Sequence, residues 1–314
     1  MTRAVRWPPA AVPGLLPRLV SALGGAAPRR GAARPLSRGP RPGTITVMRD
    51  ITSYAALEAA CDGDTLCSWM AQGLDGRSRA WRSADGRAVA VAAPALATRD
   101  RLAVWGAPDA AVPLVGAVLA ETGPTYRPLG DGPLIDALVD GLPALARAGR
   151  FGWMDCTGPG PAAPARGPAG WLAEADLPVV AALLEASYPA SYAKPGAPGV
   201  ERWAGARDDD GQLAAVGALA WSAPAVGFIS GVAVRPAARG QGLGRQVCTW
   251  LLAGALRRHR AAALMVDDAN RAARRLYLGL GLRYRQLSVA AVAECPGFAA
   301  AATRPGAAEQ TTAS

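Results

Sequence analysis

The chain has 314 residues, 51% hydrophobic and 18% charged, enough for two ordinary domains with apolar cores. No uninterrupted apolar run reaches the roughly 18 residues of a membrane span; residues 10–27 come nearest and are cut by Pro13, Pro17 and Arg18. The net charge of +10 suggests a nucleic-acid partner, but its distribution argues otherwise. Nine arginines and no acid fall in residues 1–49, which leaves 25 basic against 24 acidic residues in the remainder. The five cysteines, Cys61, Cys67, Cys156, Cys248 and Cys295, are odd in number and form no C-x-x-C pair, and His259 is the only histidine. No metal site and no disulfide framework is expected, and a reducing cytoplasm fits. His259, among Arg257, Arg258 and Arg260, reads as a cation at a helix end.

Residues 1–47 are rich in Arg, Pro and Gly without periodicity and read as disordered. A basic tail, a targeting sequence, or an extension upstream of a working start at Met48 would each explain them. A first α/β unit is expected over 48–156. In it, Ser53–Met70 reads as a helix with Tyr54, Leu57, Ala60 and Cys61 on one face. Arg79–Trp81 and Ala88–Ala93 read as a hairpin around Asp85-Gly86. Leu102–Trp105 is a strand, Val112–Glu121 and Leu134–Ala146 are helices, and Phe151–Asp155 is a strand. Residues 157–170, with PGPAAPARGPAG at their core, read as a linker.

A second unit is expected over 171–298. Its elements are a helix over Glu174–Tyr188, an irregular loop Tyr188–Gly199, and a meander of strands Arg202–Arg207, Gln212–Trp221 and Val226–Val234. Helix Gly242–Arg257, strand Ala263–Asp267, helix Asn270–Leu280 and strands Arg283–Gln286 and Ser288–Ala293 follow. Residues 299–314 form an Ala/Thr tail expected to be disordered. The fold class is mixed α/β (α+β), a mostly antiparallel sheet with helices on its faces.

One stretch carries chemistry. Arg239, Gly242 and Gly244 stand in an R-x-x-G-x-G spacing between a β-rich run and a helix whose Leu243, Val247, Leu251 and Ala255 repeat at i+4. Such a turn aims backbone N–H groups at one point, and the helix N-terminus adds positive potential, so a pyrophosphate is the natural guest. A P-loop is excluded because RGQGLGR has no Gly-Lys-Ser/Thr, and Arg245 fills the last glycine position of a dinucleotide fingerprint. The spacing alone is weak, since Arg127, Gly130 and Gly132 match it too, with Pro128 removing a donor. That second match reads as coincidence.

With its flanks, Val232–Tyr284 resembles the acyl-CoA-binding core of the GNAT superfamily of N-acyltransferases. VAVRPAARGQGLG is similar to the strand and pyrophosphate loop of that family. DDANRAARRLYLGLGLRY is similar to its Asn…Ala…Leu-Tyr…Leu-Gly-Phe segment, with Leu282 in place of the usual Phe. The resemblance implies a GNAT-like fold, possessed in tandem if 48–156 is a degenerate second copy. It implies an N-acetyltransferase that moves an acetyl group from acetyl-CoA to a primary amine by direct attack. By the same resemblance, amides of Gln241, Gly242, Leu243, Gly244 and Arg245 hold the pyrophosphate and Arg239 adds charge. The backbones of Val232 and Val234 pair with the pantetheine arm, Asn270 hydrogen-bonds the cosubstrate, and Tyr277 is the general acid.

Each assignment has a plainer alternative: helix-start glycines, core valines, an Asn270 helix cap, a Tyr277 packed on the stripe of Ala273, Leu276 and Leu280. Many members carry a Glu base on the strand before the loop, and Gly227–Val234 has no acid. Glu201, Asp208, Asp209 and Asp210 are the nearest in sequence. Two other functions therefore stay open: a non-catalytic acyl-CoA-binding regulatory module, and a nucleic-acid-associated protein working through the Arg-rich start. The expected partners are a small-molecule or peptide amine acceptor, with no membrane, nucleic acid disfavoured, and a monomer or homodimer. Tyr188, Tyr192 and Trp203 would either line the acceptor pocket or pack.

Overall fold

The computed structural model describes residues 48–74, 76–158 and 169–293. The segment expected to be disordered at 1–47, the middle of the linker and the tail lie outside them. The first half runs β1 (Met48–Ile51), α1 (Tyr54–Ala60), α2 (Thr65–Met70), β2 (Arg79–Ser83), β3 (Ala88–Leu96), β4 (Arg99–Gly106), α3 (Pro108–Thr122), β5 (Arg127–Asp131), α4 (Gly132–Gly141) and β6 (Leu145–Thr157). The second runs β7 (Ala169–Trp171), α5 (Leu177–Ser187), β8 (Val200–Arg207), β9 (Leu213–Ala220), β10 (Val226–Val234), α6 (Leu243–Leu256), β11 (Ala261–Val266), α7 (Arg271–Leu278) and β12 (Arg283–Val292).

Several elements differ from the sequence expectation. Strands β1 and β7 were not expected, and β7 begins at Ala169, inside the segment read as a linker over 157–170. The helix over Ser53–Met70 is two helices, because Asp62 and Gly63 take φ of 50° and 68°. Asp64 then starts α2 afresh by accepting from Cys67 N–H at 2.8 Å. The helix over Leu134–Ala146 stops at Gly141, and Leu145 opens β6. Arg127–Asp131 is a strand despite Pro128 and Gly130, where a Cβ would come within 2.6 Å of the Val104 carbonyl. The final two strands are one, β12, with a register shift between Val289 and Ala290.

All strands join one twelve-stranded sheet in the order β1-β2-β3-β4-β5-β12-β6-β11-β10-β9-β8-β7. Neighbours are antiparallel except β4–β5 and β10–β11. The two halves thus repeat one topology, and each contributes its last strand to the other. β6 pairs with β11, β12 pairs with β5, and β6 and β12 pair from Arg283↔Asp155 to Val292↔Leu145.

One sheet face carries α1, α2 and α5 over a core that includes Leu57, Trp69, Val180, Leu184, Trp153 and Phe228. The other face carries α3 and α4 over the first half and α6 and α7 over the second. α2 joins the halves: Trp69 stacks on Phe228 with centroids 4.3 Å apart and donates its Nε1–H to the Trp221 carbonyl at 2.8 Å. Asp64, ahead of the same helix, pairs with Arg285 of β12 at 2.6 Å.

Candidate active site

β10 creates the site by leaving its neighbour. It pairs in parallel with β11 from Val226↔Ala261 to Ile229↔Leu264, and no further, although β10 runs to Val234 and β11 to Val266. On its other edge it keeps β9 but spends one extra residue between Ser230 and Ala233, a β-bulge. Gly231 sits in that bulge at φ 66°, where a Cβ would stand 3.0 Å from Trp203 and 3.1 Å from Ala193. Bulge and splay open a wedge whose β10 side presents main-chain groups of Ser230–Val234 without a β11 partner. Val232 and Val234 are half-buried there, with side chains in the core under α6.

The loop after β10 closes the wide end of the wedge. Gly240 and Gly242 take φ of 84° and 79°, and no heavy atom lies within 4 Å of a Cβ at either. Backbone conformation therefore requires glycine, and the space above the loop is open. The first rung of α6 is Gln246 N–H donating to the Gly242 carbonyl at 3.1 Å. The N–H groups of Leu243, Gly244 and Arg245 lie ahead of that ladder, where a helix accepts an anion. Leu243 is buried and anchors the loop. Gly244 lets α6 settle on β10, since a Cβ would meet Val234 at 3.0 Å. Arg239 and Gln241 are exposed, as is Arg245, whose guanidinium donates to the Gly279 carbonyl at 3.0 Å and ties the loop to the end of α7. This cradle fits a pyrophosphate by donor chemistry and by room.

α7 brings the remaining expected residues. Asn270 is exposed and caps the helix, its Oδ1 accepting from Ala273 N–H at 3.1 Å. Tyr277 is 7% exposed in the core between α6 and α7. Burial, with Cys248 and Tyr188 nearby, pushes its phenol well above the ordinary range. Burial likewise pushes the Cys248 thiol up to about 12, against the effect of Tyr277. From the loop after α5, Tyr188 is raised by burial and then by Tyr192 and Asp267. Tyr188 is thus within electrostatic reach of both Tyr277 and Asp267; the sequence reading gave Asp267 and Cys248 no role. Two acids directly after a buried strand were the one signal for Asp267. Trp203 is buried against Gly231. Among the acids nearest in sequence, Asp208 pairs with Arg235 and Glu201 accepts from Ser222 N–H at 2.8 Å, while Asp209 and Asp210 are exposed in a hairpin turn. His259 faces the Pro224 carbonyl at 3.2 Å, away from this chemistry.

The first half repeats the wedge but not the loop. β4 and β5 pair from Arg101↔Arg127 to Ala103↔Leu129 and then part, around a cavity of about 260 Å³ lined in part by Asp64, Trp105, Asp131 and Arg285. The β4–α3 connection is Ala107 alone. Pro108 removes a donor, and Asp109 in the first turn is held by Arg87 at 2.6 Å. No anion cradle exists there. The second R-x-x-G-x-G match lies on β5 and the start of α4, with neither glycine at positive φ, so its spacing is coincidental.

Residues 175–282 match the model of the acetyltransferase (GNAT) family, so the chain carries a GNAT acetyltransferase domain. The match supports acyl transfer as the class of reaction for residues 175–282. No curated protein matches the chain. Solved structures similar to it include a GNAT-family acetyltransferase from Novosphingobium aromaticivorans, at 25% identity over 61% of this chain and 86% of that one, with a TM-score of 0.40. A GCN5-related N-acetyltransferase from Kribbella flavida matches at 19% identity over 72% and 93%, with a TM-score of 0.47. One from Sphaerobacter thermophilus matches at 18% identity over 79% and 96%, with a TM-score of 0.48. Among the described residues no helix is long and apolar enough to cross a membrane.

Proposed function

We propose that this chain is an acetyl-CoA-dependent N-acetyltransferase acting on a primary amine, with its site in the second half. The observation that carries the reading is the splayed, bulged β10 running into a glycine loop whose N–H groups face open space at the start of α6. Acetyl-CoA supplies a thioester, which an amine can attack without a covalent enzyme intermediate. Amides of Gln241–Arg245 hold the pyrophosphate, with Arg239 as added charge, and the backbones of Val232 and Val234 align the pantetheine as an added strand. Asn270, its oxygen committed to the cap, has its amide nitrogen left for the cosubstrate. A main-chain N–H of Ser230–Val234 faces the carbonyl oxygen as charge develops on it.

The proton account needs no acid on β10. When the neutral amine attacks, a C–N bond forms, the C–S bond breaks, and the proton lost by nitrogen matches the proton gained by sulfur. Tyr277 donates to the leaving sulfur and is restored from the nitrogen side. Its raised pKa keeps the phenol protonated throughout the neutral range. Residues 48–156 act as a worn copy of the same fold that completes the sheet, 157–170 link the halves, and the enzyme works in the cytoplasm.

The test is a thermal-shift titration of the full chain with acetyl-CoA, beside a Gly242→Glu/Gly244→Glu variant. Binding to the native state adds about 2.7 kcal/mol at 100 times Kd. A saturable shift in the parent, lost in the variant, supports the reading; no shift in a folded parent overturns it. Thiol release with a panel of amines then separates catalysis from a non-catalytic acyl-CoA module, which the lack of an acid on β10 favours.

A further inference from the structure

Beyond β12 the chain leaves the sheet at the rim of an apolar groove. Ala293 N–H donates to the Ala144 carbonyl at 3.0 Å, one step past the Val292↔Leu145 pair that closes the β6–β12 ladder. Val292 and Ala144 both line a cavity of about 290 Å³, together with Leu119 and Ala120 of α3, Leu142 after α4 and Leu145 of β6. None of its lining residues has a polar side chain. Leu119, Leu142 and Val292 are half-buried and Ala120 is exposed, so the groove opens to the surface. Gly116 of α3 belongs to the same wall, and a Cβ there would stand 3.2 Å from Leu142.

The sequence that continues from this rim carries one side chain suited to it. Phe298 is the only large apolar residue after Val292 and the only aromatic one after Tyr284. It stands five positions beyond Ala293, a reach of at most about 18 Å. Pro296-Gly297 lies between. Proline second and glycine third in a four-residue turn is the type II signature, and such a turn brings its first and fourth residues, here Cys295 and Phe298, within about 7 Å. The sequence therefore directs Phe298 back toward the exit of β12 rather than away from it. Closing so short a loop costs little, and covering an open apolar groove with an aromatic ring is stabilising.

We propose that residues 294–298 turn back over the end of β12 and seat Phe298 in this groove, so that the C-terminal segment clasps α3 and the α4–β6 connection. β12, a strand of the second half, is then held to the first half by its own extension as well as by its pairing with β5 and β6. This docking does not rest on the acetyltransferase reading. The groove belongs to the α3–α4 face of the first half and holds none of the residues proposed to bind acetyl-CoA.

Thermal melting of the full chain and a cross-link test the docking. Phe298→Ala is expected to lower the melting temperature by about 3–8 °C, the effect of exposing one aromatic side chain in a protein of this size. Ala120→Gln, a good helix former at an exposed position, fills the groove with a polar side chain and should give a similar loss. The double variant should melt no lower than either single one, because both changes remove the same contact. Placement is read directly in a chain carrying Phe298→Cys and Ala120→Cys. With oxidised glutathione, an intramolecular disulfide between positions 298 and 120 is expected on peptide mapping. An unchanged melting temperature in Phe298→Ala, additive losses in the double variant, or no such cross-link overturns the proposal. Cross-linked dimers would give the groove to the tail of a second copy. A melting temperature lowered by deleting residues 1–47, and not by Phe298→Ala, would give it to the Arg-rich start. Either result overturns the assignment to 294–298 of the same chain. A missing acetyl-CoA shift in the parent overturns only the cofactor reading and leaves these outcomes untouched.

Discussion

Tyr277 of α7 sets its buried phenol beside the thiol of Cys248 from α6. Tyr277→Phe removes the proposed proton donor and keeps the ring, so under that proposal kcat is expected to fall by about 10² to 10⁴. The melting temperature and the acetyl-CoA Kd stay near the parent's values, and stopped assays with thermal shifts check both. With Tyr277 as the proposed acid, its raised pKa sets an expectation for the pH profile as well. Below the acceptor ammonium pKa, kcat/KM should rise tenfold per pH unit, because only neutral amine attacks. No descending limb should appear until well above pH 10, where the phenol ionises. A descending limb near neutrality would show that a different acid works here. The motif singled out Tyr277 in sequence as the proposed acid. Its depth was not legible, because that depends on Cys248 from another helix and Tyr188 from a loop some ninety residues earlier in the chain.

Asn270 and Gly242 each stand at a helix start, α7 and α6, and each is proposed to meet the cosubstrate as well. Asn270→Ala should cost about 1 kcal/mol through the lost cap, measured by urea unfolding without ligand. If Asn270 also touches the cosubstrate, the acetyl-CoA Kd rises beyond what that loss explains. Elements with their own caps and periods, α6, α7 and the β8–β10 meander, were legible because local signals specify them. β5 was not, since Pro128 and Gly130 look like a turn. Its glycine is fixed by the approach of the Val104 carbonyl, which no local pattern reveals. The break at Asp62-Gly63 was hidden for a related reason: the apolar spacing of Tyr54–Met70 passes across it unbroken. The wedge itself was invisible, because splay is a property of two strands and a bulge together.

Across the whole molecule, the exchange of β6 and β12 makes the halves depend on each other. Unfolding should be one cooperative transition, with calorimetric and van't Hoff enthalpies in agreement. Trp69→Ala should cost about 3–5 kcal/mol, as it removes both the stack on Phe228 and the bond to Trp221. A protease site placed between Gly158 and Ala169 tests the exchange directly. After cleavage the two pieces should coelute and keep acetyl-CoA binding, while residues 169–314 expressed alone should not fold. The exchange also has a consequence during synthesis. β5 waits for β12, whose partner residues lie about 160 positions further on, so the first half leaves the ribosome with an open strand edge and no means of closing it. Completion of the β5 edge is set by arrival of β12 rather than by the order in which the first half emerges.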